Sequence, residues 1–125
     1  MSKCTYMNAN GGDDIIMTDI FKALSDETRL RILSLLLNGE MCVCEIEDCL
    51  GLTQSNASRH LTALKNAGIL SSSKQAQWAY YGLSDEFCEE NRELMNYLTE
   101  KLKSLSTYES DRRNREKCRQ TDLCN

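Results

Sequence analysis

The stretch MCVCEIEDCLGLTQSNASRHLTALKNAGIL, residues 41–70, decides the fold of this 125-residue chain. Apolar residues recur at helical spacing from residue 43 to 50 and again from 53 to 66. Gly51 interrupts the first segment, and Thr53 is a favourable N-cap for the second. Two helices joined by a three- or four-residue turn that contains Gly are typical of a helix-turn-helix motif. The sequence therefore predicts this motif here.

The second helix of such a motif lies in the major groove of DNA, with its N-terminal residues on base edges. Its apolar side would be formed by Ala57, Leu61 and Leu64. The opposite side offers side chains of the types that bind bases and phosphates, since Arg reads guanine and Asn or Gln reads adenine. These candidate DNA contacts are Gln54, Ser55, Asn56, Ser58, Arg59 and His60. The alternative interpretation is that Ser and Asn cap the helix, that Arg59 is solvated and that His60 belongs to the core.

The distribution of charge supports DNA binding although the chain as a whole carries −4. Residues 50–83 contain no Asp or Glu, but they contain Arg59, Lys65 and Lys74. A phosphate within about a Debye length, roughly 8–10 Å, responds to the nearest surface first. The local positive charge of this segment therefore predicts a nucleic-acid contact, although the net charge of the whole chain is negative.

A β-hairpin is predicted after the helix-turn-helix, from the β-branched and aromatic runs at 69–74 and 78–83. The tip of this wing carries Lys74, Gln75 and Gln77, which are candidate contacts to phosphate or to the minor groove. Ala76 stands where a tight turn prefers Gly, so we expect either a longer loop or a strained one. The fold class is thus mainly α with a small β-hairpin, a winged helix-turn-helix.

The outer segments suggest how the domain is bounded and how it assembles. Residues 1–12 are expected to form a flexible arm, residues 13–106 the DNA-binding and dimerisation domain, and residues 107–125 a disordered tail. The first helix is predicted from residue 13 to 24, and one long amphipathic helix from 84 to 104. Their apolar faces predict a homodimer through the first and last helices.

Seven cysteines are many for this length, yet their number is odd and no export leader or bilayer-spanning run is present. We therefore expect a cytoplasmic protein without a membrane partner. In a reducing compartment, such thiols bind metals or react more often than they form disulfides. The single histidine, His60, excludes a multi-histidine metal site.

Residues 20–83 closely resemble the arsenic-responsive repressors of the ArsR/SmtB type. The motifs that carry the resemblance are LSDETRLRIL at 24–33, MCVCEI at 41–46, GLTQ at 51–54, SRHLTALK at 58–65, AGIL at 67–70 and QWAYYGL at 77–83. The resemblance implies a winged-helix homodimer that occupies a palindromic operator in double-stranded DNA. It implies release of that operator when As(III) or Sb(III) binds Cys42 and Cys44, with no organic cofactor. Thiolates are soft donors, which suits such thiophilic ions.

The sequence does not identify the third thiolate ligand, because relatives that sense arsenite often carry a further Cys where this chain has Glu47. Cys49 is the nearest substitute, but it lies about 10 Å along a regular helix from Cys42. Core packing is the other interpretation of Cys49. Cys4 on the N-terminal arm is the second candidate, as in the lead- and cadmium-sensing branch. Cys88, Cys118 and Cys124 are further alternatives for completing the site, and the sequence does not choose among them.

Two other functions fit parts of the pattern. A Cd(II)- or Pb(II)-responsive repressor would use Cys4, and a thiol redox sensor would use the same fold with oxidation as its signal. Thiols near a helix N-terminus can be reactive. An enzyme is not expected, because no general base accompanies the cysteines and no cofactor loop is recognisable.

Overall fold

The computed structural model describes residues 11–121, with side-chain surroundings for residues 17–118. Most of the expected N-terminal arm, including Cys4, lies outside the described residues, as does Cys124. The elements in chain order are α1 (Gly11–Leu24), α2 (Glu27–Leu36), β1 (Met41–Cys42), α3 (Val43–Leu50), α4 (Gln54–Asn66), β2 (Leu70–Gln75), β3 (Trp78–Leu83), α5 (Asp85–Glu90), α6 (Arg92–Leu102) and α7 (Tyr108–Thr121). None of the helices in this part of the chain is long and apolar enough to cross a lipid bilayer.

The helix-turn-helix is confirmed as α3, a turn and α4. Gly51 ends α3 in the left-handed conformation, with φ of 67°, which glycine adopts without steric cost. The Thr53 hydroxyl accepts a hydrogen bond from the Asn56 amide at 3.2 Å, so Thr53 caps α4. The apolar side of α4 is fully buried at Ala57, Leu61 and Leu64. These contacts fix α4 against the core and leave its polar side outward.

The wing is present and contains one strand more than expected. Strands β2 and β3 pair antiparallel, and β1 adds to the other edge of β3, which gives the order β1-β3-β2. Gln75 pairs with Trp78, so the turn has only two residues, and Ala76 takes a positive φ of 57°. The turn is therefore the strained alternative of the two expected, since a positive φ is unfavourable for a residue with a Cβ atom.

Strand β1 was not expected, because two residues are too few to give a periodic signal. Met41 pairs with Tyr81 and Cys42 with Tyr80. Cys42 thus belongs to the wing sheet and also directly precedes α3. This position connects the thiol segment with both parts of the winged helix.

The long helix predicted for residues 84–104 is wrong as a single element. The chain forms α5 and α6, which are separated at Asn91, where φ is −126° and ψ is 49°. The Ser84 hydroxyl caps α5 by accepting the Phe87 amide at 3.2 Å. Residue 91 leaves the helical region of φ and ψ, so the helix is interrupted there, and the expected apolar face continues on α6 with Leu94, Leu98 and Leu102.

The prediction of a disordered tail is wrong for Tyr108–Thr121, which form α7 and pack against α2 and α3. The helix docks through ionic and polar contacts. Arg31 donates two hydrogen bonds to Asp111, at 2.9 and 2.8 Å, and Asp111 is only 1% exposed. Arg115 is also buried and donates to the Asn38 and Gly39 carbonyls. Composition missed this helix because its docking side is charged.

Candidate ligand and nucleic-acid site

The two thiols of residues 42 and 44 lie together at the start of α3. Their Sγ atoms are 3.0 Å apart. Cys42 is 1% exposed, and its amide donates to the Glu45 carboxylate at 2.9 Å, which holds the first turn of the helix. The positive end of a helix dipole favours negative charge at this position. Such a pair offers two soft sulfur donors to one ion.

Solvent reaches this pair from the side of Cys44. Cys44 lines an open surface depression, together with Glu47, Asp48, Gly51 and Leu52. The carboxylates beside it also attract cations to the mouth of the depression. An ion can therefore approach Cys44 without unfolding α3.

The structure does not bring a third ligand to the pair within residues 17–118. Among these described residues, no group of three or more His, Cys, Asp or Glu is placed to hold a metal ion. Cys49 is buried in the hydrophobic core, and its Sγ atom contacts Sγ of Cys118 at 2.9 Å. The packing interpretation of Cys49 therefore fits the structure better than the ligand interpretation. Cys4 lies outside the described residues.

The polar side of α4 is a continuous exposed surface. Five of the six predicted DNA contacts on this helix are exposed: Gln54, Ser55, Asn56, Ser58 and Arg59. Besides a contact with the His60 ring, also at 3.4 Å, the Arg59 guanidinium makes a long hydrogen bond, at 3.4 Å, to the Asn56 side chain. A phosphate or a guanine edge could replace that weak contact at little cost. The surface has the donors and acceptors that groove binding requires.

His60 does not belong to this exposed surface, and its burial fits the core interpretation better than a direct DNA contact. Its side chain is 7% exposed and lies under the helix. Arg29 Nε donates to His60 Nδ1 at 3.1 Å, and Arg59 Nη2 lies 3.4 Å from His60 Nε2. Helical spacing places residue 60 at the edge of the buried stripe, which explains the difference. His60 positions α4 on α2.

The environment of His60 gives stability a predicted pH dependence. Burial lowers the pKa of His60 below 6.5 and the cations Arg59 and Arg29 lower it further, although the Asp26 carboxylate acts in the opposite direction. The unfolded chain then binds the proton more readily than the fold does, so stability is lost as pH falls below about 6.5. Urea unfolding at pH 7.5 and 5.5 measures this loss, and His60→Gln should reduce it.

The Asp26 carboxylate, which faces His60, titrates below that pH window. Burial raises the pKa of Asp26, but the hydrogen bond from the Arg29 amide and the nearby positive charges outweigh this effect, and the result is below 3.8. Its titration thus falls well below pH 5.5. An identical loss of stability in wild type and His60→Gln would contradict the assignment to His60.

The wing tip carries the other predicted contacts. Lys74, Gln75 and Gln77 are all exposed around the two-residue turn. The Gln75 amide donates to the Glu40 carboxylate at 3.2 Å, so this side chain has a competing partner within the chain. Lys74 is the positively charged residue beside the turn, and it is therefore the candidate for a phosphate contact from the wing.

The thiol pair and the candidate DNA surfaces are connected through α3 and β1. Ile46 and Leu50 of α3 lie in the same core cluster as Ala57 and Leu61 of α4. Cys42 is the strand partner of Tyr80 in the wing. A change in the first turn of α3 can therefore alter the positions of both α4 and the wing.

Sequence analysis missed the polar side of α7, although a signal was present. Asp111, Asn114, Arg115 and Cys118 have the i, i+3, i+4, i+7 spacing of one helical face. Each contacts α2, α3 or the segment between them. A search for polar rather than apolar periodicity would have found this helix.

The comparisons with known proteins agree with the geometry. The family model described as "Bacterial regulatory protein, arsR family" matches residues 26–72. The arsenic resistance transcriptional regulator ArsR2 of Pseudomonas putida is 48% identical over 69 residues, which is 54% of this chain and 60% of that protein. The cadmium resistance transcriptional regulatory protein CadC homolog of Staphylococcus aureus is 46% identical over 68 residues, which is 54% of this chain and 56% of that protein. The chain thus spans little more than half the length of these two relatives.

Two further proteins are matched over most of their own length. The uncharacterised HTH-type transcriptional regulator MJ1325 of Methanocaldococcus jannaschii is 46% identical over 81 residues, which is 64% of this chain and 91% of that protein. The solved structure of the homodimeric winged helix-turn-helix domain Mb0332 of Mycobacterium bovis superposes with a TM-score of 0.62 at 26% identity, covering 77% of this chain and 91% of that one. The winged helix-turn-helix architecture is thereby confirmed.

Proposed function

Since the chain belongs to the arsR family of bacterial regulatory proteins, we propose that it is a transcriptional repressor that binds a palindromic operator as a dimer and leaves it when As(III) or Sb(III) binds Cys42 and Cys44. The observation that carries the proposal is the pair of sulfurs 3.0 Å apart at the start of the helix that packs on α4. A DNA-binding regulator of this kind works in the cytoplasm.

The geometry of the pair favours a trivalent ion. At a metal–sulfur distance of about 2.3 Å, sulfurs 3.0 Å apart subtend an angle of roughly 80° at a shared ion. That angle is nearer to the right angles of a pyramidal trivalent ion than to the tetrahedral angles of zinc. The two thiols alone supply two ligands, so a third donor from outside the described residues, such as Cys4, or from solvent would complete the site.

DNA contact is proposed for the exposed side of α4 and for the wing tip. Gln54, Ser55, Asn56, Ser58 and Arg59 would lie in the major groove, with Lys74, Gln75 and Gln77 on the flanking backbone. His60 would support this surface from beneath. Each protomer would read one half-site, which is why the operator is expected to be palindromic.

Coupling between ligand and DNA would run through α3. An ion shared by Cys42 and Cys44 sets the distance and angle of the two sulfurs, and Cys42 is both the residue before α3 and a paired residue of β1. The ligand and the operator would then prefer different positions of α4 and the wing. Such a difference in preference is a coupling free energy, typically 1–3 kcal/mol or about 5–150-fold in affinity.

The dimer is proposed to form through α1 and α6. These helices carry exposed large apolar side chains, namely Met17, Phe21 and Tyr97, each more than half exposed. Exposed large apolar side chains that share one surface are typical of association sites. The neighbour Mb0332 is homodimeric, which supports the proposal of a dimer.

Replacing Phe21 by Lys should weaken the dimer, because it places a charge in the apolar surface. We expect the dimer dissociation constant to rise at least tenfold, equivalent to about 1.4 kcal/mol, as measured by sedimentation equilibrium. Glu109→Lys, an exposed change on α7, is the control and should leave the dimer intact. Unchanged association of Phe21→Lys would place the dimer surface elsewhere.

The ligand assignment is tested with Cys42→Ser, Cys44→Ser protein and a DNA duplex selected in vitro for binding to the metal-free protein. We expect normal duplex affinity by fluorescence anisotropy but less than twofold weakening by arsenite, since the soft donors are gone. Cys88→Ser, a half-buried thiol on α5, serves as the matched control and should respond like wild type. Full release of the double variant by arsenite would refute the site.

The same titration separates the alternatives. Cd(II) or Pb(II) that releases wild type at lower concentration than arsenite would favour the divalent-ion repressor, a reading supported by the similarity to the CadC homolog. Release by peroxide in the absence of any metal would favour a redox regulator. Both outcomes retain the fold and the operator and change only the signal.

A further inference from the structure

A second pair of thiols lies between α3 and α7, away from the proposed ligand pair. The Sγ atoms of Cys49 and Cys118 are 2.9 Å apart, although the residues are 69 positions apart in the chain. Both side chains are 3% exposed. A disulfide has an S–S distance of about 2.05 Å, so the two sulfurs need to approach by less than an ångström.

We propose that Cys49 and Cys118 are a redox pair, which a peroxide oxidises to an interhelical disulfide that fixes α7 against α3. The proposal concerns residues that take no part in the proposed ligand site. It gives α7, which lies beyond the residues 26–72 matched by the family model, a modification site of its own.

The contacts around the pair hold the two helices in register. Asn114 donates to the Cys49 carbonyl at 3.1 Å, four residues before Cys118 on the same side of α7. Arg31 and Asp111 join the first turns of α7 to α2. Because these contacts fix the part of α7 that precedes Cys118, disulfide formation requires no large movement of either helix.

A proton acceptor and a route from solvent are present at Cys118. Its thiol donates to the Asp48 carboxylate, with 3.3 Å between sulfur and oxygen. Asp48 is exposed and lines the same open depression as Cys44 and Gly51. We expect a small peroxide to approach the pair from this depression, on the Cys118 side. Burial raises the pKa of both thiols, so the pair should react more slowly than an exposed thiol.

The reaction balances with one peroxide for each disulfide. The Cys118 thiol gives its proton to Asp48, and its sulfur attacks one oxygen of the peroxide, so that the O–O bond breaks and one water leaves with that proton. The product is a sulfenic acid at Cys118. The Cys49 sulfur then attacks the Cys118 sulfur, the S–O bond breaks, and a second water leaves. The two sulfurs are oxidised by two electrons in total, and the peroxide is reduced.

The test uses full-length Cys42→Ser, Cys44→Ser protein, in which residue 49 is the sole cysteine of the tryptic peptide 32–59. Reduced protein is treated with hydrogen peroxide, alkylated, digested and mapped by mass spectrometry. We expect this peptide to be linked to the peptide 118–119. We also expect Tm to rise on the order of 10 °C, because the link closes a loop of about 70 residues.

Cys118→Ser in the same background is the control for the link, and Cys88→Ser is the control for the remaining thiols. The first should show neither the linked peptide nor the rise in Tm, and the second should show both. Alkylated or sulfinic Cys118 after oxidation, a link from Cys49 to another cysteine, or a link without a rise in Tm would each overturn the proposal.

Discussion

Replacing Asp111 by Ala should destabilise the protein by about 3 kcal/mol, because it leaves Arg31 partly buried without its bidentate partner. Asp111 is 1% exposed and the Arg31 side chain 23%, so water compensates only part of the loss. The Asp111 hydrogen bond raises the pKa of Arg31 in spite of burial, which agrees with a strong pair. Urea unfolding at a fixed protein concentration measures the effect.

Two further variants make this result specific. Glu109→Gln breaks the exposed pair of Glu109 with Arg112 on the same helix and should change stability little. The double variant Arg31→Met, Asp111→Leu removes both charges and should recover most of the lost stability, since the cost lies in the unpaired charge. Equal stability of wild type and Asp111→Ala would mean that α7 does not depend on this ion pair.

Replacing Arg59 by Ala should weaken operator binding by about 1–3 kcal/mol, or roughly 5- to 150-fold. Arg59 is exposed on the outward side of α4, and its intrachain contacts are long, at 3.4 Å. Its guanidinium is therefore available for a guanine edge or a phosphate. Fluorescence anisotropy with the selected duplex, at constant salt, measures the loss.

The salt dependence identifies which contact is lost. A phosphate contact would lower the slope of log affinity against log salt by about one, whereas a base contact would leave the slope and relax sequence preference. Lys103→Ala, which removes an exposed positive charge at the end of α6, is the charge-matched control and should bind nearly as wild type. Full affinity in Arg59→Ala would move the reading surface away from α4.

The central part of the fold could be predicted because its signals are local. Gly51 and Thr53 mark the ends of two helices, and the apolar spacing of α4 matches its buried side. The thiol pair was also predictable, since two residues apart at a helix start cannot be far apart in space. The resemblance to the arsenic-responsive repressors then implied that these two thiols bind the inducer.

The remaining features depend on contacts between distant residues. Strand β1 exists only because β3 offers its edge to Met41 and Cys42. Helix α7 depends on Asp111 meeting Arg31, 80 residues away. His60 is buried beside Arg29, which donates a hydrogen bond to its ring, and Cys49 contacts Cys118 near the other end of the chain. No local pattern around any of these residues specifies its partner.

The central claim is that Cys42 and Cys44 together bind the inducer. Arsenic X-ray absorption on protein loaded with one equivalent of arsenite tests it most directly, because it counts the sulfur ligands. We predict at least two As–S contacts in wild type, one fewer in Cys42→Ser and in Cys44→Ser, and no change in Cys49→Ser. An unchanged sulfur count in both the Cys42→Ser and Cys44→Ser proteins would contradict the claim.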